Sequence, residues 1–106
     1  MTAETAREFF EELKARTANG SERTRGLRAS YRFDVAGAGS WHVAVDDGAV
    51  SVSETSADAD VVIGVPEDLF LRIARGEQSP MGAFLMGKIR LEGDAALAMR
   101  LKDLLG

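Results

Sequence analysis

Strict alternation of apolar and polar residues over 27–35 constrains the fold more than any other feature of this chain. Successive side chains of a strand point to opposite sides of its sheet, so a period of two predicts a half-buried β-strand. Three further stretches alternate in the same way: 41–45, 50–52 and 59–65. Asp47-Gly48 is a strong hairpin signal, because both central residues of a type I′ turn need positive φ. The segment 27–65 therefore predicts a meander of three or four strands that share one apolar face.

Helical patterns lie on both sides of this meander. Residues 4–16 place apolar residues three and four apart, which predicts an amphipathic helix. A second helix is predicted to begin at Pro66 and to end at Gly76, since proline suits a helix start and glycine a helix end. Gly93-Asp94 precedes a third helix. Its apolar stripe contains Leu97, Ala98, Leu101, Leu104 and Leu105.

Residues 85–92 alternate again and predict the last strand, with Leu85, Gly87, Ile89 and Leu91 on its apolar face. A helix separates this strand from the one that ends near Val65. We therefore expect the two strands to run parallel, joined by a right-handed crossover. The predicted fold is α+β, with a five-stranded, mixed but mainly antiparallel sheet and helices packed on one face.

Composition limits the classes of function. The chain has 106 residues, which predicts a single domain over 1–106. A net charge of −4 argues against a nucleic-acid interface, and the absence of cysteine excludes disulfides and thiolate chemistry. The first residues carry an acid, and no stretch approaches the ~18 apolar residues of a membrane span. We expect a soluble, cytoplasmic protein.

Few residues suggest catalysis or metal binding. His42 is the only histidine, and its parity places it opposite Trp41 and Val43, on the outer face. The aspartates at 46, 47, 58 and 60 do not follow the spacing of a calcium loop and suit turns better. The glycines at 37 and 39 lack the third glycine and the following helix of a dinucleotide-binding loop. We therefore expect no catalytic residue, no metal and no cofactor.

The remaining signal in the second half of the chain is apolar. Methionine adapts to irregular shapes and is common at permissive apolar sites, and four large flexible residues cluster here: Met81, Phe84, Met86 and Met99. Gly64 and Gly87 lie within predicted strands, where glycine marks either a bulge or open space beside the sheet. From the pattern alone, methionines that fill gaps in the core and glycines that mark bulges are the favoured interpretation, and a binding site is the alternative.

Two adjoining stretches carry a family resemblance: GEQSPMGAF at 76–84 and MGKIRLEGD at 86–94. Together with Tyr31-Arg32-Phe33-Asp34, Asp47-Gly48 and Ala59-Asp60-Val61, they resemble the sterol carrier protein lipid-transfer (sterol-binding) domain family in its short bacterial form. The resemblance covers nearly the whole chain. It implies an apolar tunnel between the sheet and the helices, and non-covalent binding of a sterol, fatty acid, acyl-CoA or isoprenoid-like lipid.

Combined with parity and helical stripes, the resemblance yields ten candidate lipid-binding residues: Phe33, Trp41, Val43, Leu69, Phe70, Ile73, Met81, Phe84, Met86 and Leu101. Charges at the mouth, such as Arg72 or Arg75, or Lys88 and Arg90 if they lie near it, could select the head group. The expected partner is an apolar ligand, with transient membrane contact and a homodimer also open. The alternative is a non-catalytic interaction or dimerisation module with a packed core, accessory to a lipid-related enzyme.

Overall fold

Five strands form one sheet in the computed structural model, which describes residues 4–100. The strands are β1 (Arg28–Ala36), β2 (Gly39–Asp46), β3 (Ala49–Ser53), β4 (Val61–Pro66) and β5 (Arg90–Gly93). The helices are α1 (Ala6–Arg16), α2 (Glu67–Ala74), α3 (Pro80–Leu85) and α4 (Ala95–Met99), and a 3₁₀ turn spans Glu22–Thr24.

The strands follow the order β3-β2-β1-β4-β5. All neighbouring pairs are antiparallel except β1 and β4, which run parallel from Tyr31 opposite Val61 to Ala36 opposite Pro66. The apolar residues of β1, β2 and β4 that point inward are buried beneath the helices, and the alternate positions form the outer face, where β1 contributes mainly polar residues. The predicted fold, a mixed and mainly antiparallel sheet with helices on one face, is confirmed.

Local signals identified several boundaries correctly. Asp47 and Gly48 have φ values of 47° and 92°, as the predicted hairpin turn requires. Asp94 caps α4, because one of its carboxylate oxygens accepts hydrogen bonds from the backbone N–H groups of Ala96 and Leu97. The predicted stripe positions Leu101, Leu104 and Leu105 lie outside the described residues.

The predicted strand over 85–92 is wrong in its first half. Ser79 caps a short helix there, α3, and Pro80 occupies its first turn. At the helix end, the N–H of Gly87 donates to the carbonyl of Phe84 and that of Lys88 to Ala83, which is a Schellman motif. Gly87 has a φ of 73°, so it ends a helix and does not open space beside the sheet. The strand itself begins only at Arg90.

The expected parallel pairing of the last strand with the strand ending near Val65 is also wrong. Helices α2 and α3 carry the chain away from the end of β4 and back to that same end, so β5 enters antiparallel, with Arg90 opposite Gly64. The parallel neighbour of β4 is β1, on its other side. The direction of β5 depends on where α2 and α3 return the chain, and alternation within a strand carries no information about that.

Five aromatic rings fill the space between the sheet and helices α1 and α2. Phe10 lies at their centre, stacked on Trp41 with ring centroids 4.9 Å apart and on Phe70 at 5.4 Å. Phe33 lies 5.2 Å from Phe10, and Phe9 meets Phe10 and Phe70 edge to face. Aromatic pairs of this kind contribute about 0.5–1.5 kcal/mol each beyond their buried area. This half of the inner face is therefore solid.

Gly93→Ala should destabilise the fold by roughly 3 kcal/mol, because it combines strained backbone with overlap. Gly93 has a φ of 108°, and an added Cβ would overlap the backbone carbonyl of Asp60, directly before the neighbouring strand β4. Gly76→Ala is the matched control, because Gly76 has a φ of 78° but open space where the Cβ would stand. Its expected cost is only about 1–2 kcal/mol. Urea unfolding measures both, and equal losses would contradict the close approach at Gly93.

Candidate functional site

The ten predicted lipid-binding residues divide between two environments. Five of them are buried in the core: Phe33, Trp41, Val43, Leu69 and Phe70. Ile73 is half-buried and packs against that core. Three of these five belong to the aromatic cluster, in which Phe10 of α1 contacts each of them. Met81 and Phe84 of α3, and Met86 directly after it, are exposed. Leu101 lies outside the described residues.

Six large apolar side chains remain uncovered along the stretch 81–99. They expose between 37% and 76% of their surface and come from α3, β5 and α4: Met81, Phe84, Leu85, Met86, Leu91 and Met99. We call these six residues the uncovered apolar surface. Monomeric proteins seldom expose large contiguous apolar patches, and those that do generally bind something there.

Leu91 links this surface to the inner face of the sheet. It pairs directly with Ile63 of β4, and opposite residues of an antiparallel pair share one face. Ile63 is buried, whereas Leu91 on the edge strand is 37% exposed. Within residues 4–100, the helical layer therefore buries the inner face over β1, β2 and β4 more completely than over β5.

Helix α4 is fixed to the core by a tyrosine that was not among the ten predicted lipid-binding residues. Tyr31 is fully buried on β1, and its hydroxyl donates a hydrogen bond to the carbonyl of Leu97 at 2.7 Å. Leu97 and Ala98 pack partly against the core, while Met99 remains outside. This anchor fixes one border of the uncovered apolar surface.

A charged cluster on the outer face holds the edge strand that carries Leu91. Asp34 of β1 accepts two hydrogen bonds from Arg32 at 3.0 and 3.1 Å, one from Ser40 at 2.9 Å and one from Arg90 of β5 at 3.3 Å. Burial raises the pKa of Asp34, but hydrogen bonds from Arg32 and Ser40, with the charges of Arg32 and Arg90, outweigh it and lower that pKa overall. Asp34 is therefore a carboxylate at neutral pH, and it binds β5 across the sheet.

Gly64 has no side chain and so leaves room for the contact between Arg90 and Asp34. It lies on β4 between Asp34 and Arg90, its register partners on the two adjacent strands. A Cβ at Gly64 would lie 3.2 Å from the guanidinium carbon of Arg90 and 3.3 Å from its Cβ. Of the two interpretations left open for this glycine, a bulge or open space, the structure shows space on the outer face, and the Arg90 side chain occupies it.

An open depression of about 590 Å³ lies on the outer face, where β1 turns into β2. Its lining mixes charged residues, Asp34, Lys88 and Arg90, with apolar residues at the ends of β1 and β4, Val35 and Val65. A second depression, of about 530 Å³, lies between the loop after α1 and the β2–β3 turn. Neither is the predicted apolar tunnel, which stays a prediction.

The outer face offers little for catalysis. His42 lies on it, and its Nε2 is 3.1 Å from the backbone carbonyl of Asp58. Over residues 4–100, no group of three or more acidic or histidine side chains converges to hold a metal ion. In the same part of the chain, no helix has the length and apolarity needed to cross a membrane.

The comparison with known families decides the identity. Residues 10–106 match the model of the SCP-2 sterol transfer family. The chain belongs to that family. The predicted resemblance is thereby confirmed, and it extends over both the packed half and the uncovered apolar surface.

This SCP-2 family member spans most of the length of one relative and only a small part of another. It is 33% identical to Non-specific lipid-transfer protein-like 1 of Caenorhabditis elegans over 102 residues, covering 92% of this chain and 86% of that protein. It is also 33% identical to Hydroxysteroid dehydrogenase-like protein 2 of Xenopus laevis over 89 residues, covering 80% of this chain. There the chain spans only 21% of the relative's length.

Solved structures of the family share the fold. The sterol carrier protein domain 2 of Helicoverpa armigera superposes with a TM-score of 0.75 at 28% identity, covering 92% of this chain and 83% of that one. The solution structure of palmitated SCP2L2 from Aedes aegypti gives a TM-score of 0.72 at 24% identity, covering 95% and 94%.

Asp34→Asn should destabilise the protein by about 2 kcal/mol at pH 7, since it removes charge-assisted hydrogen bonds from a partly buried site. Because the pKa of folded Asp34 lies below its ordinary value of 3.8, the carboxylate stabilises the fold above that pH. The contribution is lost as pH falls from there through the lower pKa of the folded state. Unfolding free energies measured against pH should therefore converge for wild type and Asp34→Asn in acid.

Asp46→Asn is the control for this measurement. Asp46 pairs with Arg28 at 2.8 Å, but both side chains are 77% exposed. Exposed ion pairs contribute little to stability, so this variant should lie close to wild type at every pH. A gap between wild type and Asp34→Asn that stays constant down to low pH would contradict the role of the Asp34 carboxylate.

Proposed function

We propose that this chain binds the apolar chain of a lipid non-covalently and carries it between donor and acceptor. The observation that supports this proposal is the uncovered apolar surface, beside an edge strand whose inner face the helices leave open. Family membership and the palmitated Aedes aegypti relative give independent support. A fatty acid, acyl-CoA, sterol or isoprenoid-like lipid is the ligand class.

The ligand would lie along the border between β5, α3 and α4. We propose Met81, Phe84 and Met86 as its contacts on the α3 side, and Leu91 and Met99 as its contacts on the other. The buried residues Phe33, Trp41, Val43, Leu69 and Phe70, with the half-buried Ile73, would then belong to the packed core that holds the helices in place. The predicted tunnel would then occupy the β5 end of the sheet and not the aromatic half.

The energetics suit a carrier that must also release its ligand. Each buried methylene contributes ~0.8 kcal/mol, so a sixteen-carbon chain offers at most about 12 kcal/mol. Association and ordering of the chain oppose this by about 4–15 kcal/mol. Micromolar affinity corresponds to about 8 kcal/mol and needs no strong polar contact. Methionine and phenylalanine at the site would adapt to more than one chain shape.

No chemical step belongs to this proposal. The only histidine bonds a backbone carbonyl on the outer face, away from the uncovered apolar surface. A nucleophile, a base and a group that orients the base would have to meet beside the ligand, and the described residues bring no such set together there. The dehydrogenase-like part of the Xenopus laevis relative's name concerns a protein of which this chain spans about a fifth.

A second candidate function is that of an accessory module docked on a lipid-related enzyme. The solid aromatic cluster favours it, because much of the interior is filled by the protein's own side chains. The long Xenopus laevis relative, in which the matched region is a minor part, is consistent with it. In this alternative the uncovered apolar surface would contact a protein and no lipid would enter.

Extraction of the purified protein with organic solvent, followed by mass spectrometry, tests the proposal directly. We expect a co-purified fatty acid, sterol or isoprenoid-like lipid. In parallel, palmitate should displace a bound fluorescent fatty acid with micromolar affinity. Trp41 is a poor reporter, since β1 and β4 separate its strand from β5. A clean extract and no saturable binding would favour the accessory module.

Phe84→Ser and Leu91→Ser should each weaken palmitate binding about tenfold, because each removes apolar contact worth roughly 1.5 kcal/mol. Displacement of the fluorescent fatty acid measures the effect, and circular dichroism checks the fold. Val50→Ser is the matched control, a half-buried apolar residue on β3 at the opposite edge of the sheet. It should leave the affinity for palmitate unchanged. Equal weakening by all three variants would locate the ligand elsewhere.

A further inference from the structure

Helix α4 borders the uncovered apolar surface, but little within the helix itself holds it in place. It spans Ala95–Met99, only five residues, and none of them is fully buried. A helix of this length is unstable alone, because forming the first turn costs more conformational entropy than its few hydrogen bonds return. Leu97 and Ala98 pack partly against the core, and Asp94 caps the first turn. Within residues 4–100, the position of α4 therefore depends on its contacts with the sheet.

The side chain of Tyr31 supplies one of these contacts. Tyr31 is fully buried on β1, and its hydroxyl donates to the carbonyl of Leu97 at 2.7 Å, the usual distance for a hydroxyl donor. The strand β1 is central, whereas α4 follows the edge strand β5. The bond therefore ties a short helix at the edge of the fold to the centre of the sheet.

The carbonyl of Leu97 does not need this bond to be satisfied. It also accepts a hydrogen bond from the N–H of Arg100 at 3.1 Å, within the end of the helix. The inner face does not need a hydroxyl at this position either, because Phe33, the next inward residue of β1, is buried there with a plain ring. Loss of the Tyr31 hydroxyl would therefore leave the core filled and the carbonyl paired, and would remove the tie to α4.

We propose that Tyr31 is a positioning residue for lipid binding, which holds α4 as a fixed wall of the site and thereby slows release of the ligand. Tyr31 is fully buried and acts through α4, which carries the proposed ligand contact Met99. A wall that is ordered before the ligand arrives lowers the ordering cost of binding. Such gains act mainly on the dissociation rate. This role rests on the proposed function, for which it identifies the contact that sets how long the lipid is retained.

Release of a bound fluorescent fatty acid from the full chain tests this role. Excess palmitate is mixed with the loaded protein in stopped flow, and the decay of fluorescence gives the dissociation rate. We expect Tyr31→Phe to release the probe about fivefold faster than wild type, with an association rate changed less than about twofold. The variant keeps the buried ring, and urea unfolding checks that it is folded.

Thr17→Val is the matched control. Thr17 is buried at the end of α1, and its hydroxyl donates at 2.7 Å to the carbonyl of Leu13, which also accepts the N–H of Thr17. The variant therefore loses a buried hydroxyl bond of equal length, but beside the β2–β3 turn and not at α4. It should release the probe at the wild-type rate. Equal acceleration in both variants would reduce Tyr31 to a general contribution to stability and overturn the positioning role.

Hydrogen exchange in the ligand-free protein supplies a second readout. The amide of Ala98 donates to the carbonyl of Asp94 at the start of α4. Its exchange should be about fivefold faster in Tyr31→Phe and unchanged in Thr17→Val, since α4 can open locally without breaking the tyrosine bond only in the first variant. Unchanged release or unchanged exchange in Tyr31→Phe, while wild type binds palmitate saturably, overturns the positioning role alone. Absence of saturable palmitate binding by wild type would instead refute the carrier, and the positioning role with it.

Discussion

The stack of Phe10 between Trp41 and Phe70 is the contact on which the rest of this structure depends. It joins α1, β2 and α2 in one place, and the neighbouring ring of Phe33 ties them to the central strand. Because these rings are large and rigid, they fill one half of the inner face and hold α1 and α2 over it. Within residues 4–100, the other half receives the short helices α3 and α4, and Leu91 of β5 stays partly exposed. The same packing that makes one end solid therefore leaves the other end open.

Much of the architecture could be predicted because local signals agreed with the final fold. The alternation of apolar and polar residues in β1 and β2 matched their burial, and Asp47-Gly48 correctly predicted the turn that joins β2 to β3. The stretch after Ser79 was harder to predict, because it carries two sets of signals. Alternation from Leu85 onwards indicates a strand, whereas a serine cap, a proline and Gly87 at the end indicate a short helix. Those three signals were present in the sequence and outweigh the period of two. The direction of β5 could not be predicted locally, because it depends on where two helices return the chain.

Prediction of the candidate site was limited for a different reason. Parity tells which face of a strand a residue occupies, but coverage of that face depends on distant helices. Phe33 and Trp41 were correctly placed inward, yet parity could not show that α1 seals them. Leu85 and Leu91 looked like ordinary core residues of one strand, although the first ends a helix and the second lies on an uncovered edge. The hydroxyl of Tyr31 bonds a carbonyl 66 positions away, a contact that no local pattern announces.

The missing side chain at Gly64 has a consequence for how this sequence can vary. Arg90 lies over that position to reach Asp34, and a methyl group there would meet its Cβ and guanidinium together. A larger residue at 64 is therefore compatible only with a shorter or differently directed residue at 90, and the loss of Arg90 releases the constraint on 64. The two positions, 26 residues apart in the chain, should be inherited as a pair, so that homologues changing one without the other are rare.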